Sequence, residues 1–224
     1  MDVPLQNLSY EVNVAISREN VLEWIRTFSQ VIDENNVYLT DLDREIGDAD
    51  HGANMNRGFK AVMTKLPSME TSDITGILKG VGMTLLSSVG GASGPLYSTV
   101  FMQLSKSFAG KEQLELADWC AGWEAAEQGV QMRGKAIPGD KTMVDAMQPA
   151  LEALKEAVAQ NLPIGVGLRN SADAAHQGML ATIPLVARKG RASYLGERSA
   201  NHQDPGATST YFLLDSAAKT WADC

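Results

Sequence analysis

The stretch 39–60, LTDLDREIGDADHGANMNRGFK, decides how the rest of the chain is read. Leu39, Leu42 and Ile46 lead into it at helical spacing, and Met55, Phe59, Val62 and Leu66 resume that period beyond it. Between the two helical patterns Asp43, Asp48 and Asp50 fall within eight residues, with Asp41 and Glu45 beside them. Spacings of five and two do not share a helix face, which needs three or four. Gly47 and Gly52 allow sharp turns, so the three carboxylates can converge from a loop. At an effective dielectric of ~20, carboxylates ~5 Å apart repel by roughly 3 kcal/mol per pair. A compact cluster of this kind calls for a cation, and all-oxygen ligation selects a hard one, Mg²⁺ before Ca²⁺ or Zn²⁺. The plain alternative is a solvated acidic turn. The glycines, and two further polar glycine loops downstream, weigh for a metal site. His51, Gly52 and Asn54 fall at or near a helix N-terminus, where free N–H groups and the dipole favour an anion.

Working outward, the same helical period recurs. Ser17 is placed as the N-cap of a helix carrying Val21, Leu22, Ile25, Phe28 and Ile32 and ending near Asn35–Asn36. Residues 1–16 lack a clear pattern and are expected to form an extended arm. Past 67–72, read as a loop, Ile74, Ile77, Leu78, Val81, Leu85 and Leu86 mark a buried helix face. Gly76, Gly80 and Gly82 on that helix suit close packing of a neighbour. The segment 87–95, SSVGGASGP, is too rich in glycine, serine and proline for a helix interior. It is either a plain turn or a nest of N–H and hydroxyl donors for phosphate oxygens. A helix from Leu96 to Phe108 follows it. Leu114, Leu116, Trp119, Trp123, Ala126 and Val130 describe a long helix, and RGKAIPGDKTM at 133–143 leads to another, with Asp140 as its expected N-cap. Met143 there suits either adenine packing or core filling. Leu168, Ala172, Ala175, Met179, Ile183 and Val186 give a further helix; its His176 is read as a surface or satisfied core histidine. Asp204–Pro205 reads as N-cap and first-turn proline of a last helix through Phe212, Leu213 and Ala217. No alternating strand pattern of useful length occurs. The expected fold is all-α, with seven to nine helices and a single domain over 17–224.

Composition narrows function. The 224 residues carry a formal charge of −8, which argues against a nucleic-acid or anionic-membrane surface. No run approaches the ~18 apolar residues of a membrane span. The first residues show neither a basic n-region nor an apolar h-region, and the two cysteines, Cys120 and Cys224, suggest no disulfide framework. A cytoplasmic protein is expected. Four polar loops interrupt the helices at 43–54, 87–95, 133–142 and 187–206. In an up-and-down helical array, loops separated by an even number of helices emerge at one end. One rim would then gather carboxylates, N–H donors and Arg191, a combination suited to a nucleotide polyphosphate with its metal. The fingerprints G-x-x-x-x-G-K-[ST] and G-x-G-x-x-G are absent, as are a nucleophile elbow and a convincing Cys/His pair.

At these four loops the chain resembles the nucleotide-binding L subunit of bacterial dihydroxyacetone kinase. The resemblance rests on YLTDLDREIGDADHGANMNRGF at 38–59, GMTLLSSVGGASGPLY at 82–97, RGKAIPGDKTM at 133–143 and ARKGRASYLGERSANHQDPGATS at 187–209, and extends over most of 17–218. It implies an antiparallel barrel of eight helices with ADP, or ATP in turnover, and two Mg²⁺ ions in loops at one rim. Asp43, Asp48 and Asp50 would be the metal ligands. His51, Gly52, Ala53 and Asn54 would meet the nucleotide from a helix N-terminus, and Gly90, Gly91, Ala92 and Ser93 would bind phosphate. Gly134 and Met143 would border adenine. Arg191, with Asp204, Pro205 and Gly206, would close over the nucleotide, and Arg191 would offset charge during transfer. The resemblance further implies a K subunit holding dihydroxyacetone and an M subunit whose phosphohistidine rephosphorylates ADP in place. Residues 1–16 have no counterpart in it. Two alternatives stay open: the L component of another ketose or sugar-alcohol kinase using free ATP, and a nucleotide-sensing module that binds a transcriptional regulator. A homodimer is a further possible assembly.

Overall fold

The computed structural model describes residues 15–222, and within them the backbone is helical. Nine α-helices follow in order: α1 Arg18–Glu34, α2 Asn36–Ile46, α3 His51–Lys65, α4 Ile74–Ser88, α5 Ser93–Ser107, α6 Leu116–Gly134, α7 Val144–Ala159, α8 Ile164–Ala181 and α9 Pro205–Thr220. Leu66–Met69 and Arg191–Ser199 add 3-10 turns. The β pairing among the described residues is a single antiparallel bridge, Ile16 to Leu114, with both N–H···O distances 2.9 Å. Residues 1–14 of the expected arm, and Cys224, lie outside the described residues. Ile16, at the inner end of that arm, is fully buried, so the core already includes it.

Local chemistry sets the helix starts. Ser17 and Asn20 form a reciprocal capping box at α1, with Ser17 N–H to Asn20 Oδ1 at 2.9 Å and Asn20 N–H to Ser17 Oγ at 3.2 Å. Asp73 caps α4 through Gly76 N–H, and Asp204 caps α9 through Ala207 N–H, each at 2.7 Å. Asp140 is not the cap of α7. Lys141 takes a left-handed φ of 62° and the chain turns once more, so the helix starts at Val144. Asp140 instead accepts Ile137 N–H, while Asp145 holds the turn through Thr142 N–H at 2.7 Å and Gly139 N–H at 2.5 Å.

Other boundaries also move. The segment after Lys65 is a 3-10 turn over Leu66–Met69 where a loop was expected. Helix α5 begins at Ser93, because Pro95 falls in its first turn, where a missing N–H costs nothing. Helix α8 stops at Ala181, short of Ile183 and Val186. Leu86, expected inside, is 54% exposed on the outer face of α4. Of the three α4 glycines, Gly82 admits a neighbouring helix: a Cβ there would lie 3.0 Å from Met102 and 3.2 Å from Ser98 O of α5.

Each helix from α3 onward packs on the next, α9 returns to α1, and α1 packs on α3, so the packing order closes on itself. Tryptophans join its distant parts. Trp24 of α1 lies 5.3 Å from Trp119 of α6, edge to face, and 5.3 Å from Trp221 beyond α9. Trp24 donates its indole N–H to Leu213 O at 3.0 Å, and Trp221 donates to Asn20 O at 2.9 Å. Aromatic pairs of this kind contribute ~0.5–1.5 kcal/mol each beyond burial. Trp24→Ala is therefore expected to lower unfolding free energy by about 3–5 kcal/mol in urea titration, the range for emptying a buried aromatic site.

Candidate functional site

The N-terminal boundaries of α3, α5, α7 and α9 all open on one cavity, lined there by Asp50 and His51, Ala92 and Ser93, Thr142 and Met143, and Asp204, Pro205 and Gly206. All four polar loops reach it. Each helix start presents the positive end of a dipole, equivalent to roughly half a charge. A strongly acidic chain thus acquires an anion-attracting pocket without a basic surface. Gly94 permits the tight entry to α5, since a Cβ there would lie 2.4 Å from Val89 O. Gly91, at φ 63°, makes the preceding turn.

The acidic loop meets these helix starts from the end of α2. One carboxylate oxygen from each of Asp43, Asp48 and Asp50 lies within 4.8 Å of the others. Asp43 is the anchor. Its Oδ2 accepts Asp50 N–H at 2.8 Å and His51 N–H at 3.1 Å, capping α3 from the helix before it. Gly47 is required beside it, because a Cβ would come 2.1 Å from Asp43 Oδ1. Ala49, between the other two carboxylates, has a left-handed φ of 59°. That conformation costs a non-glycine residue about 1–2 kcal/mol and is held here by the surrounding loop. Arg191 Nε reaches Asp48 Oδ2 at 2.9 Å from the 3-10 segment across the mouth, and its side chain stays 67% exposed.

Beneath the mouth the polar groups are buried and paired. His51 lies between Ser93 Oγ, 3.0 Å from Nδ1, and Ser209 Oγ, 2.9 Å from Nε2. Burial pushes its imidazole down to about 4 against the pull of Asp43 and Asp50, so the ring is neutral at neutral pH. Tyr97 donates its hydroxyl to Ser209 Oγ at 2.7 Å, and burial raises its phenol to about 12. Lys141 is buried with its Nζ on the carbonyls of Thr182, at 2.6 Å, and of His202, which fastens the α7 turn to the segment before α9. Burial lowers its ammonium pKa while Asp204 and Asp145 oppose that. Burial raises the Asp204 carboxyl to about 7, offset in part by Ala207 N–H and Lys141.

The comparisons with known proteins bear on this geometry. The model of the DAK2 domain matches residues 45–219. The chain belongs to the DAK2 domain family. It is 48% identical over 205 residues to the "PEP-dependent dihydroxyacetone kinase, ADP-binding subunit DhaL" of Escherichia coli, covering 92% of this chain and 98% of that protein. It is 39% identical to the corresponding subunit DhaL of kinase 1 of Listeria innocua, over 89% of this chain and 94% of that one. The crystal structure of the dihydroxyacetone kinase of C. freundii has the same fold, with a TM-score of 0.70 at 21% identity. It is matched over 98% of this chain and 38% of that longer one.

In this DAK2 chain the sequence-derived site residues fall into two groups. Asp43, Asp48, Asp50, His51, Gly91, Ala92, Ser93, Met143, Arg191, Asp204, Pro205 and Gly206 line the cavity. Gly52, Ala53, Asn54, Gly90 and Gly134 stand off its wall. Gly52 serves helix packing, since a Cβ there would lie 1.9 Å from Asn36 O of α2. Ala53 is exposed. Asn54 accepts from Arg57 Nη2 at 2.6 Å, Arg57 Nε donates to Ser88 O at 3.0 Å, and Gly90 rests over the Asn54 amide; together they brace the 87–92 turn from behind. Gly134 backs Leu96, itself a wall residue. Met143 belongs to both wall and core. The sequence reading missed Tyr97, Leu96, Lys141 and Thr142. Tyr97 and Leu96 sit in an ordinary helical pattern, and nothing in RGKAIPGDKTM marks Lys141 as inward-pointing.

The Asp204 carboxyl gives a pH prediction. It titrates near 3.8 when unfolded and at about 7 when folded, so between these values the folded chain holds a proton that the unfolded chain has lost. Its contribution to stability therefore falls as pH rises from 4 to 7, by up to about 4 kcal/mol. Asp204→Asn, which keeps an acceptor for Ala207 N–H, should be more stable than the parent at pH 8 and close to it at pH 4. Urea unfolding across that range measures the difference.

Proposed function

We propose that this chain is the ADP-binding subunit of a phosphoenolpyruvate-dependent dihydroxyacetone kinase. The observation that carries the reading is the meeting of four helix N-terminal ends with three convergent carboxylates at one cavity. Helix starts attract an anion and the carboxylates a hard cation, so the pair suits a polyphosphate with its metal. The names and near-full coverage of the E. coli and Listeria relatives supply ADP and dihydroxyacetone as the particular chemistry.

The donor set fits Mg²⁺. Three carboxylates face one another with one guanidinium between them and the solvent, and Asp43, Asp48 and Asp50 would hold two ions there. Bound Mg²⁺ would supply charge neutralisation for the phosphates. The chain's own groups supply the rest. Backbone N–H groups at the start of α5, around Ser93 and Gly94, and at Gly206 would hold phosphate oxygens. Met143 and Leu96 give an apolar wall for the base, with Gly134 behind Leu96. Arg191 is exposed at the mouth, so its charge is free to move from Asp48 to a transferring phosphoryl group. The acceptor, dihydroxyacetone, would sit on a separate K subunit docked at this mouth, and a phosphohistidine M subunit would restore the nucleotide in place.

The deciding experiment is mass spectrometry of nucleotide released by denaturing freshly purified, dialysed protein, with Mg²⁺ counted alongside. Near-stoichiometric ADP with about two Mg²⁺ is the expected result. An empty site that binds added Mg·ATP reversibly would convert the reading to a free-ATP kinase component, and no nucleotide in either condition would remove it. Asp48→Asn should weaken Mg²⁺-dependent ADP binding by more than about tenfold in calorimetry while helical circular dichroism is unchanged. Arg191→Ala should slow phosphoryl transfer by about 10²–10³-fold with a much smaller loss of ADP affinity, read from single-turnover rates beside binding constants.

A further inference from the structure

The buried groups behind the cavity wall form a chain of hydrogen bonds whose direction can be worked out from donors and acceptors. Tyr97 OH approaches Ser209 Oγ at 2.7 Å, with the alternative Thr210 Oγ1 at 3.4 Å. The Ser209 hydroxyl has one proton and two lone pairs. Its oxygen lies 3.1 Å from Pro205 O and 3.2 Å from Gly206 O, carbonyls that can receive its proton and cannot donate to its lone pairs. Both lone pairs are then left to receive protons, one from Tyr97 and one from the ring nitrogen of His51 at 2.9 Å. Ser209 is fully buried and its valences are complete in this arrangement alone. The opposite sense, with Ser209 donating to His51, leaves a buried lone pair without a donor, and that carries a desolvation cost.

We infer that Ser209 is the positioning residue that holds His51 as the Nε2–H tautomer, with Tyr97 donating to the other Ser209 lone pair, and that His51 Nδ1 in turn takes the hydroxyl proton of Ser93. Ser93 Oγ, 3.0 Å from Nδ1 on the cavity wall, then presents lone pairs to a ligand and no proton. A phosphate oxygen is itself an acceptor, so the phosphate is held by the backbone N–H groups at the start of α5, and Ser93 Oγ faces a cation or a donor hydrogen. Three helices, α3, α5 and α9, are locked together by the same relay, because His51, Ser93 with Tyr97, and Ser209 each stand on a different one. The consequence for the ligand rests on the nucleotide site proposed above; the tautomer does not.

The test is the ¹⁵N spectrum of histidine-labelled, nucleotide-free protein at neutral pH, with the His51 signals assigned by their loss in His51→Gln. A protonated, pyrrole-like Nε2 and a bare, pyridine-like Nδ1 are expected. A protonated Nδ1 with bare Nε2 in the unaltered protein overturns the inference, whatever the variants do. Ser209→Ala should shift the ring toward the other tautomer and weaken ADP binding by about tenfold, the loss of one buried hydrogen-bond partner. Tyr97→Phe keeps the Ser209 acceptor and should leave the tautomer in place. An unchanged His51 spectrum in folded Ser209→Ala would overturn the role of Ser209. ADP binding in the parent separates the two readings: its absence removes the nucleotide site and leaves the tautomer standing, and its presence with the wrong tautomer does the reverse.

Discussion

The meeting of four helix starts at one cavity is the arrangement from which the site follows. Helices α3, α5, α7 and α9 all begin at that cavity. Their unsatisfied N–H groups and aligned dipoles then point into one space. Such an end is attractive to anions however acidic the chain is elsewhere, since the effect is local to the first turn. The formal charge of −8 and an anion-attracting cavity are therefore compatible. The end of α2 reaches the same rim at Ile46, and residues of the segments before α3, α5, α7 and α9 form its wall.

Holding several helix starts together requires that the far parts of the chain be tied. The cluster of Trp24, Trp119 and Trp221 does this between α1, α6 and the end of α9, with two of its three indole N–H groups bonded to backbone carbonyls. Lys141 does it near the rim, where one ammonium satisfies carbonyls from the segments on either side of the long 182–204 insertion. Removing a buried charge of this kind leaves several oriented carbonyls unpaired, which makes such groups costly to lose. Asp43 ties the next level, capping α3 with the oxygen of a residue on α2 and so fixing where the other two carboxylates can stand.

The loop of Asp48, Ala49 and Asp50 is held against local preference. Like charges are gathered and a left-handed alanine is tolerated, both unfavourable in a free loop. They persist because α2 and α3 are packed on either side and Asp43 pins the turn. The mouth above is closed by a different means. Arg191 stands on a 3-10 segment with its side chain exposed, and its ion pair with Asp48 is an open, solvated one. An exposed pair of this kind is worth little to stability, so it can be exchanged for another anion at small cost.

Much was legible in the chain itself. The 3.6-residue period of apolar positions, the caps at Ser17 and Asp204, and the glycine-rich polar loops are local properties, and they determined the all-α class and the four loops that meet at the site. The triad Asp43, Asp48 and Asp50 was legible too, because its spacing excludes a helix face and its glycines allow convergence. Tertiary structure alone decided which neighbours of those motifs face the cavity. Gly52 and Asn54 read as site residues beside His51, yet one is spent on the carbonyl of Asn36 and the other on the turn behind Gly90. Tyr97 falls in an ordinary helical pattern and nothing around Lys141 marks it as buried, yet one donates into a buried hydrogen-bond chain and the other fastens the rim. The physical reason is that periodicity records only which face of an element is apolar. Where a polar side chain finds its partner depends on segments far away in sequence, such as 182–202 for Lys141 and Ser209 for Tyr97, and those are brought near only when the array closes.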